Sequence, residues 1–191
     1  MDKDTMTVGV SPDGIKNRTD IRILICYMLD QFPEPLTKGD VIGLIYTNQF
    51  ANYIETLSAI EHLIENEHLL HNAETDALML APLGKRVSDD LSERLPKTIR
   101  QKSRDAIDRL LSRRRNEREN GFIVTGQDGG FHVTCVIGAK APGEGIMSIE
   151  FFLPTEERVS DARERFFNDP EALYRLVYAH ITGDESLLYR D

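Results

Sequence analysis

Between residues 18 and 81 the apolar spacing runs helical three times and then switches to two short extended runs, and few folds accept that order. Ile21, Leu24, Ile25, Met28, Leu29 and Phe32 recur at steps of three and four, which predicts a strongly amphipathic first helix. Thr19 or Asp20 is placed to cap its start. Pro33 and Pro35 end it, because proline lacks an N–H donor and restricts the residue before it. A second helix is predicted after Thr37 as N-cap, with Asp40 in the capping-box position and Val41, Leu44 and Ile45 as its apolar face. Residues 47–51 are a polar connection. The third helix takes Asn52 as N-cap and Glu55 three residues on, with Tyr53, Leu57, Ile60 and Ile64 marking its buried face. Residues 69–72 and 77–81 then flank a polar tip as a β-hairpin. Three short helices with a tight connection between the second and third, closed by a hairpin, give a winged helix-turn-helix.

The rest of the chain has a different pattern. Residues 96–118 predict one long helix, with Pro96 in its first turn and a narrow apolar stripe of Ile99, Ser103, Ala106, Ile107, Leu110 and Leu111. At ~1.5 Å per residue it spans about 35 Å, too long and too polar to be buried within one small domain. Gly121 stops it. Apolar runs at 122–125, 131–137 and 146–153 follow, joined by the turn 126–130 and the loop 139–145, as a three-stranded antiparallel meander. Residues 154–157 open a helix carrying Val159, Ala162 and Phe166. Residues 169–171 open another carrying Leu173, Leu176, Val177 and Ile181, closed by Gly183. The expected class is α+β: a mobile arm at 1–17, a winged helix-turn-helix domain at 18–95, a long basic connecting helix at 96–120, and a β-β-β-α-α domain at 121–191.

The run Leu80-Ala81-Pro82-Leu83-Gly84-Lys85-Arg86-Val87 resembles the segment after the wing in many winged-helix regulators. There a strand ends in Leu-Thr-x-x-Gly and a further helix begins, with Ala81 standing here in place of the threonine. From about Arg18 the whole arrangement resembles a family of Gram-positive bacterial proteins known mainly as a domain of unknown function. Its members join a winged helix to a small C-terminal α/β domain. The resemblance implies a regulator-like protein, and the family label supplies no activity.

Charge decides which functions that fold leaves open. The net charge is −9, yet residues 94–118 hold 10 basic side chains against 3 acidic ones, while residues 1–93 hold 7 against 16. A helix that reads DNA needs cations at phosphates and amide or guanidinium groups at base edges. From Asn52 to Asn66 there is no Lys or Arg, and Glu55, Ser58, Ala59, His62 and Glu65 are expected to point outward. The wing tip adds Glu74 and Asp76. Candidate nucleic-acid contacts therefore gather at the turn, in Lys38, Thr47, Asn48, Gln49, Asn52, Tyr53 and Thr56, and on the basic helix, in Arg100, Lys102 and Arg104. Arg113, Arg114 and Arg115 wrap nearly around that helix and do not make one surface.

Other chemistries find less support. His62 and His68 are six residues apart, hence on different helical faces, and His71 falls in the wing strand, so no metal site is expected. Gly126-Gln127-Asp128-Gly129-Gly130 joins two strands and reads as a hairpin turn in preference to a phosphate cradle. No nucleophile–base arrangement can be assembled, so neither catalysis nor a cofactor is expected. Cys26 and Cys135 lie in apolar segments and read as buried reduced thiols. The acidic start Met1-Asp2-Lys3-Asp4 has no apolar region after it, and no run approaches a membrane span. The expectation is a cytoplasmic, homodimeric, DNA-binding transcription regulator whose C-terminal domain dimerises or senses an effector. The alternative is a winged-helix module that binds a protein partner without DNA. A third idea is a small-ligand sensor with its pocket between the meander and the last two helices.

Overall fold

A computed structural model describes residues 8–188 of the chain. They form two compact units, divided between Asp108 and Arg109, and the division falls inside a single long helix. No helix among the described residues is long and apolar enough to cross a membrane.

In the first unit, α1 (Arg18–Gln31) begins on Asn17, not on Thr19 or Asp20. The extended Asn17 backbone lets its Oδ1 accept the Asp20 N–H at 2.7 Å, which puts the other two residues inside the first turn. The helix is enclosed, not amphipathic as expected. Ile23, Cys26 and Tyr27 are buried together with the predicted face, because α3, α4 and β3 pack around it. A two-residue strand β1 (Leu36–Thr37), absent from the sequence reading, leads into α2 (Lys38–Thr47). Thr37 Oγ1 accepts the Asp40 N–H at 3.0 Å and Asp40 Oδ2 accepts the Thr37 N–H at 2.8 Å, the reciprocal box expected there. Next come α3 (Tyr53–Glu65), β2 (Leu69–Asn72) and β3 (Ala77–Leu80). The sheet order is β1-β3-β2, antiparallel, with Leu36 opposite Leu78 and Leu70 opposite Met79. These elements make a winged helix. The helix α4 (Pro82–Leu91) then returns to α1, where Ser88 Oγ donates to Asp30 Oδ2 at 2.9 Å and Lys85 Nζ lies 3.0 Å from Asp30 Oδ1.

The long helix α5 runs Lys97–Glu119. Its first half belongs to the first unit and buries Ile99, Ser103, Ala106 and Ile107. In the second unit, β4 (Gly121–Gln127), β5 (Gly130–Ile137) and β6 (Met147–Leu153) form the expected antiparallel meander. The helices α6 (Glu156–Asn168) and α7 (Pro170–Thr182) follow. Gly183 closes α7 at φ 73°, a left-handed turn suited to a residue without Cβ. Val133, Cys135 and Ile137 on β5 pack against Phe166 and Phe167 of α6, with Phe122, Phe151 and Leu173 completing that core. Ile123, Thr134 and Glu150 are paired across the three strands on the opposite sheet face.

Cys26 and Cys135 are both buried and free. Burial pushes the Cys26 thiol up to about 12, with the nearby Asp30 charge adding to it, and pushes Cys135 up to about 11. The thiolate is the nucleophile, so both thiols are expected to resist iodoacetamide at pH 8 in the native protein and to react fully in denaturant. Rapid native alkylation of either residue, followed by mass spectrometry, would contradict this packing.

Candidate nucleic-acid interface

The turn between α2 and α3 is built from backbone outward. Asn48 caps α2, its Nδ2 donating to the Leu44 carbonyl at 2.8 Å. Gln49 then takes a left-handed φ of 55°, which sends the chain across to Asn52. Of the arm expected at 1–17, residues 1–7 lie outside the described residues, and residues 8–17 run along this turn. The Ser11 N–H donates to the Gln49 carbonyl at 3.0 Å and the Ile15 N–H to the Phe50 carbonyl at 2.7 Å. Ile15 is buried beside them. A Cβ at Gly14 would sit 2.9 Å from the Gln49 oxygen and 3.0 Å from the Phe50 oxygen, so this close approach requires glycine. Lys102 of α5 reaches Asp13 at 3.8 Å, but both side chains are more than half exposed, and such a pair contributes about 0–1 kcal/mol. Burial of Ile15, worth roughly 1.5–3 kcal/mol, outweighs it in holding the segment.

Asn52 has both ends of its amide occupied. Its Oδ1 accepts the Ile54 N–H at 2.9 Å as the α3 N-cap, and its Nδ2 donates to the Val8 carbonyl at 2.8 Å. Thr56 is fully buried, its hydroxyl donating to the Asn52 carbonyl at 2.8 Å. Glu55 was expected outward as the capping-box partner. It is 6% exposed and receives Arg18 Nε at 3.0 Å. Ala59 is likewise buried, whereas Tyr53, assigned by its spacing to the core, is about half exposed. The helix is thus rotated by about one residue from the predicted face. The main reason is long-range, since Arg18 draws Glu55 inward across 37 residues, and Thr56 adds a local bond that closes the first turn against Asn52.

The outer surface of α3 consequently presents Tyr53, Ile54, Ser58, Glu61 and Glu65. Tyr46 from α2 stands beside it, edge-on to Tyr53 with ring centroids 6.3 Å apart. Tyr46 and Ile54 were missed as site residues. The available signal was that both are apolar yet fall outside the predicted core stripes of their helices. Thr47 and Gln49 are exposed, and Lys38 is half-buried with its N–H donating to the Asp76 carbonyl at 3.2 Å. On the wing, His71 Nε2 lies 2.9 Å from Asp76 Oδ1, and Leu70 and Met79 form an exposed cross-strand pair.

The candidate cations of α5 do not gather at the turn. Arg104 Nε donates to the Tyr27 hydroxyl at 2.7 Å, and its guanidinium lies 6.0 Å from that ring's centre. Arg100 is half-buried, and Lys102 is held beside Asp13. The structure therefore brings Asn48, Gln49, Asn52, Tyr53 and Thr56 together, with Asn48, Asn52 and Thr56 already engaged.

Asn52→Ala removes the cap and the Val8 tie at once. Its urea unfolding free energy is expected to fall by about 1–2 kcal/mol. Cleavage of native protein within residues 8–17 by a nonspecific protease is expected to accelerate. Wild-type values in both assays would mean that this side chain does not hold the segment.

A family model described as Domain of unknown function (DUF4364) matches residues 21–181, and the chain belongs to that family. Comparison with curated proteins and with solved structures gave no match.

Proposed function

We propose that this member of the family is a regulatory binding protein whose winged helix docks a protein partner on the outer face of α3. The observation that carries this reading is the make-up of that face: exposed Tyr46, Tyr53 and Ile54, continued by Ser58, Glu61 and Glu65 without a cation. Against DNA, Glu61, Glu65, Glu74 and Asp76 would face a phosphate array with one charge per ~1.7 Å of helix axis. The helix has no Lys or Arg to release counterions in return. A protein partner gains instead by covering the aromatic and aliphatic side chains, each worth roughly 1.5–3 kcal/mol when buried. The reading assigns no enzymatic step and needs no cofactor. A cytoplasmic location suits its buried reduced thiols.

A DNA-binding transcription regulator is the second reading. It is favoured by the exposed Thr47 and Gln49 at the turn, by Lys38 at the other end of α2, and by the 10 cations between residues 94 and 118. Contact would then run through the turn and α5, leaving the centre of α3 out. In both readings a homodimer would form through the C-terminal unit, whose exposed Ile146, Phe152, Leu176 and Ile181 offer apolar surface for a second copy.

A photo-crosslinking amino acid at position 54, in cells, is expected to yield a protein adduct of one defined mass that the same label at position 97 does not give. Fluorescence polarisation against pooled genomic fragments at low salt is expected to show no salt-sensitive binding below about 10 μM. Salt-sensitive DNA binding without the position-54 adduct would sink the leading reading in favour of the second.

A further inference from the structure

The C-terminal unit holds a concavity of about 520 Å³ on the surface where the end of α5, the start of β4, the 138–146 loop and α6 meet. Small-molecule sites range over roughly 300–1,000 Å³, so its size suits a small ligand. Its apolar floor is Phe122 and Phe167, with Ile123 at its edge on the other sheet face; its polar wall is Lys140, Arg163, Asn120 and Glu117.

That wall is fixed in place by its own hydrogen bonds. Asn120 is 5% exposed, its Nδ2 donating to the Asn116 carbonyl at 2.9 Å and its Oδ1 accepting the Gly138 N–H at 2.9 Å. Asn116 Nδ2 in turn donates to the Phe167 carbonyl at 2.9 Å. Lys140 Nζ donates to the Asn120 carbonyl at 2.8 Å and to the Glu117 carbonyl, two groups that the end of α5 leaves without helical partners. An ammonium has three N–H donors, so one remains. A Cβ at Gly121 would run into the Lys140 carbonyl, so the loop's close approach depends on glycine there. Arg163 lies with its guanidinium 5.0 Å from the Phe122 ring centre. Among the described residues no carboxylate lies within ion-pair distance of it, although the chain carries 32 acidic side chains against 23 basic ones. The ring holds the planar fork in position while its N–H edges stay open.

We propose that this concavity binds a small monocarboxylate with an aromatic or branched aliphatic body. The carboxylate takes the Arg163 fork and the remaining Lys140 proton, and the body lies on Phe122 and Phe167. A single charge is favoured over a phosphate dianion by the electrostatics of the wall. Glu117, which Arg113 Nε approaches to 3.0 Å, contributes a carboxylate, and the carbonyl end of α5 carries the negative pole of its dipole. This site is separate from the α3 surface and does not rest on its assignment.

The test is an amide chemical-shift titration of the full chain with phenylacetate, isovalerate, acetate and inorganic phosphate. Phenylacetate and isovalerate are expected to give saturable shifts centred on residues 121–123 and 140. Acetate, which lacks the apolar body, and phosphate are expected to bind at least about tenfold more weakly. Arg163→Gln, a substitution at an exposed position whose own spectrum reports folding, is expected to weaken phenylacetate at least about tenfold. Lys140→Met tests the ammonium, but it also releases the end of α5, so Arg163→Gln is the deciding variant. The proposal is overturned by no saturable shift from phenylacetate or isovalerate up to about 10 mM, by unchanged affinity in folded Arg163→Gln, or by phosphate binding as tightly as phenylacetate.

Discussion

From Ile21 to Leu29 the first helix leaves solvent almost nothing to touch, since Arg22 alone in that span stays half-exposed. The helices α3 and α4 and the strand β3 close on it. Each fully buried Ile, Leu or Met there contributes roughly 1.5–3 kcal/mol, whereas exposed ion pairs such as Lys85–Asp89 are screened by solvent and add little. Hydrophobic enclosure of α1 therefore sets where the other elements of the first unit lie. Its one near-terminal cation, Arg18, also reaches out to α3 and takes Glu55, which fixes how that helix is turned about its own axis.

That rotation decides what the winged helix shows to a partner. Asparagine and threonine are the side chains that cap helices and also those that bond base edges, so their presence at a turn does not separate the two roles. Here the cap prevails at Asn52 and burial prevails at Thr56, while the carbonyls of Gln49 and Phe50 accept hydrogen bonds from the segment before α1. The positions turned outward instead are aromatic, aliphatic and acidic. Tyr46 and Tyr53 brace each other edge-on, which limits the entropy either would lose on being covered.

The second unit solves a different problem. A three-stranded sheet with helices on one face needs that face apolar, and alternation along β5 supplies Val133, Cys135 and Ile137 to it. The end of α5 arrives beside this sheet with open carbonyls. Lys140 satisfies two of them with a cation, which also suits the negative pole of the helix. Asn116 and Asn120 extend the same polar cluster to Phe167 and Gly138. A rigid polar wall over an aromatic floor follows from these bonds, made for structural reasons on residues well separated in the chain.

Elements whose causes lie within about four residues were legible in the sequence. The Thr37–Asp40 box, the Asn52 cap, the hairpin at 69–80, the meander and the Gly183 stop all depend on local dihedral preference, capping or period, which the residues themselves carry. The enclosure of α1, the rotation of α3 and the cluster at the end of α5 depended on partners far along the chain. Glu55 answers to Arg18 across 37 residues, Asn52 to Val8 across 44, and Lys140 to Asn120 across 20. A helical period tells which residues share a face but not which neighbour will cover it, and a polar residue one step from the stripe can be drawn inward by a distant charge. The winged helix was thus determined by sequence alone, while the chemistry of its exposed surface was decided only when tertiary packing chose which side of α3 to bury.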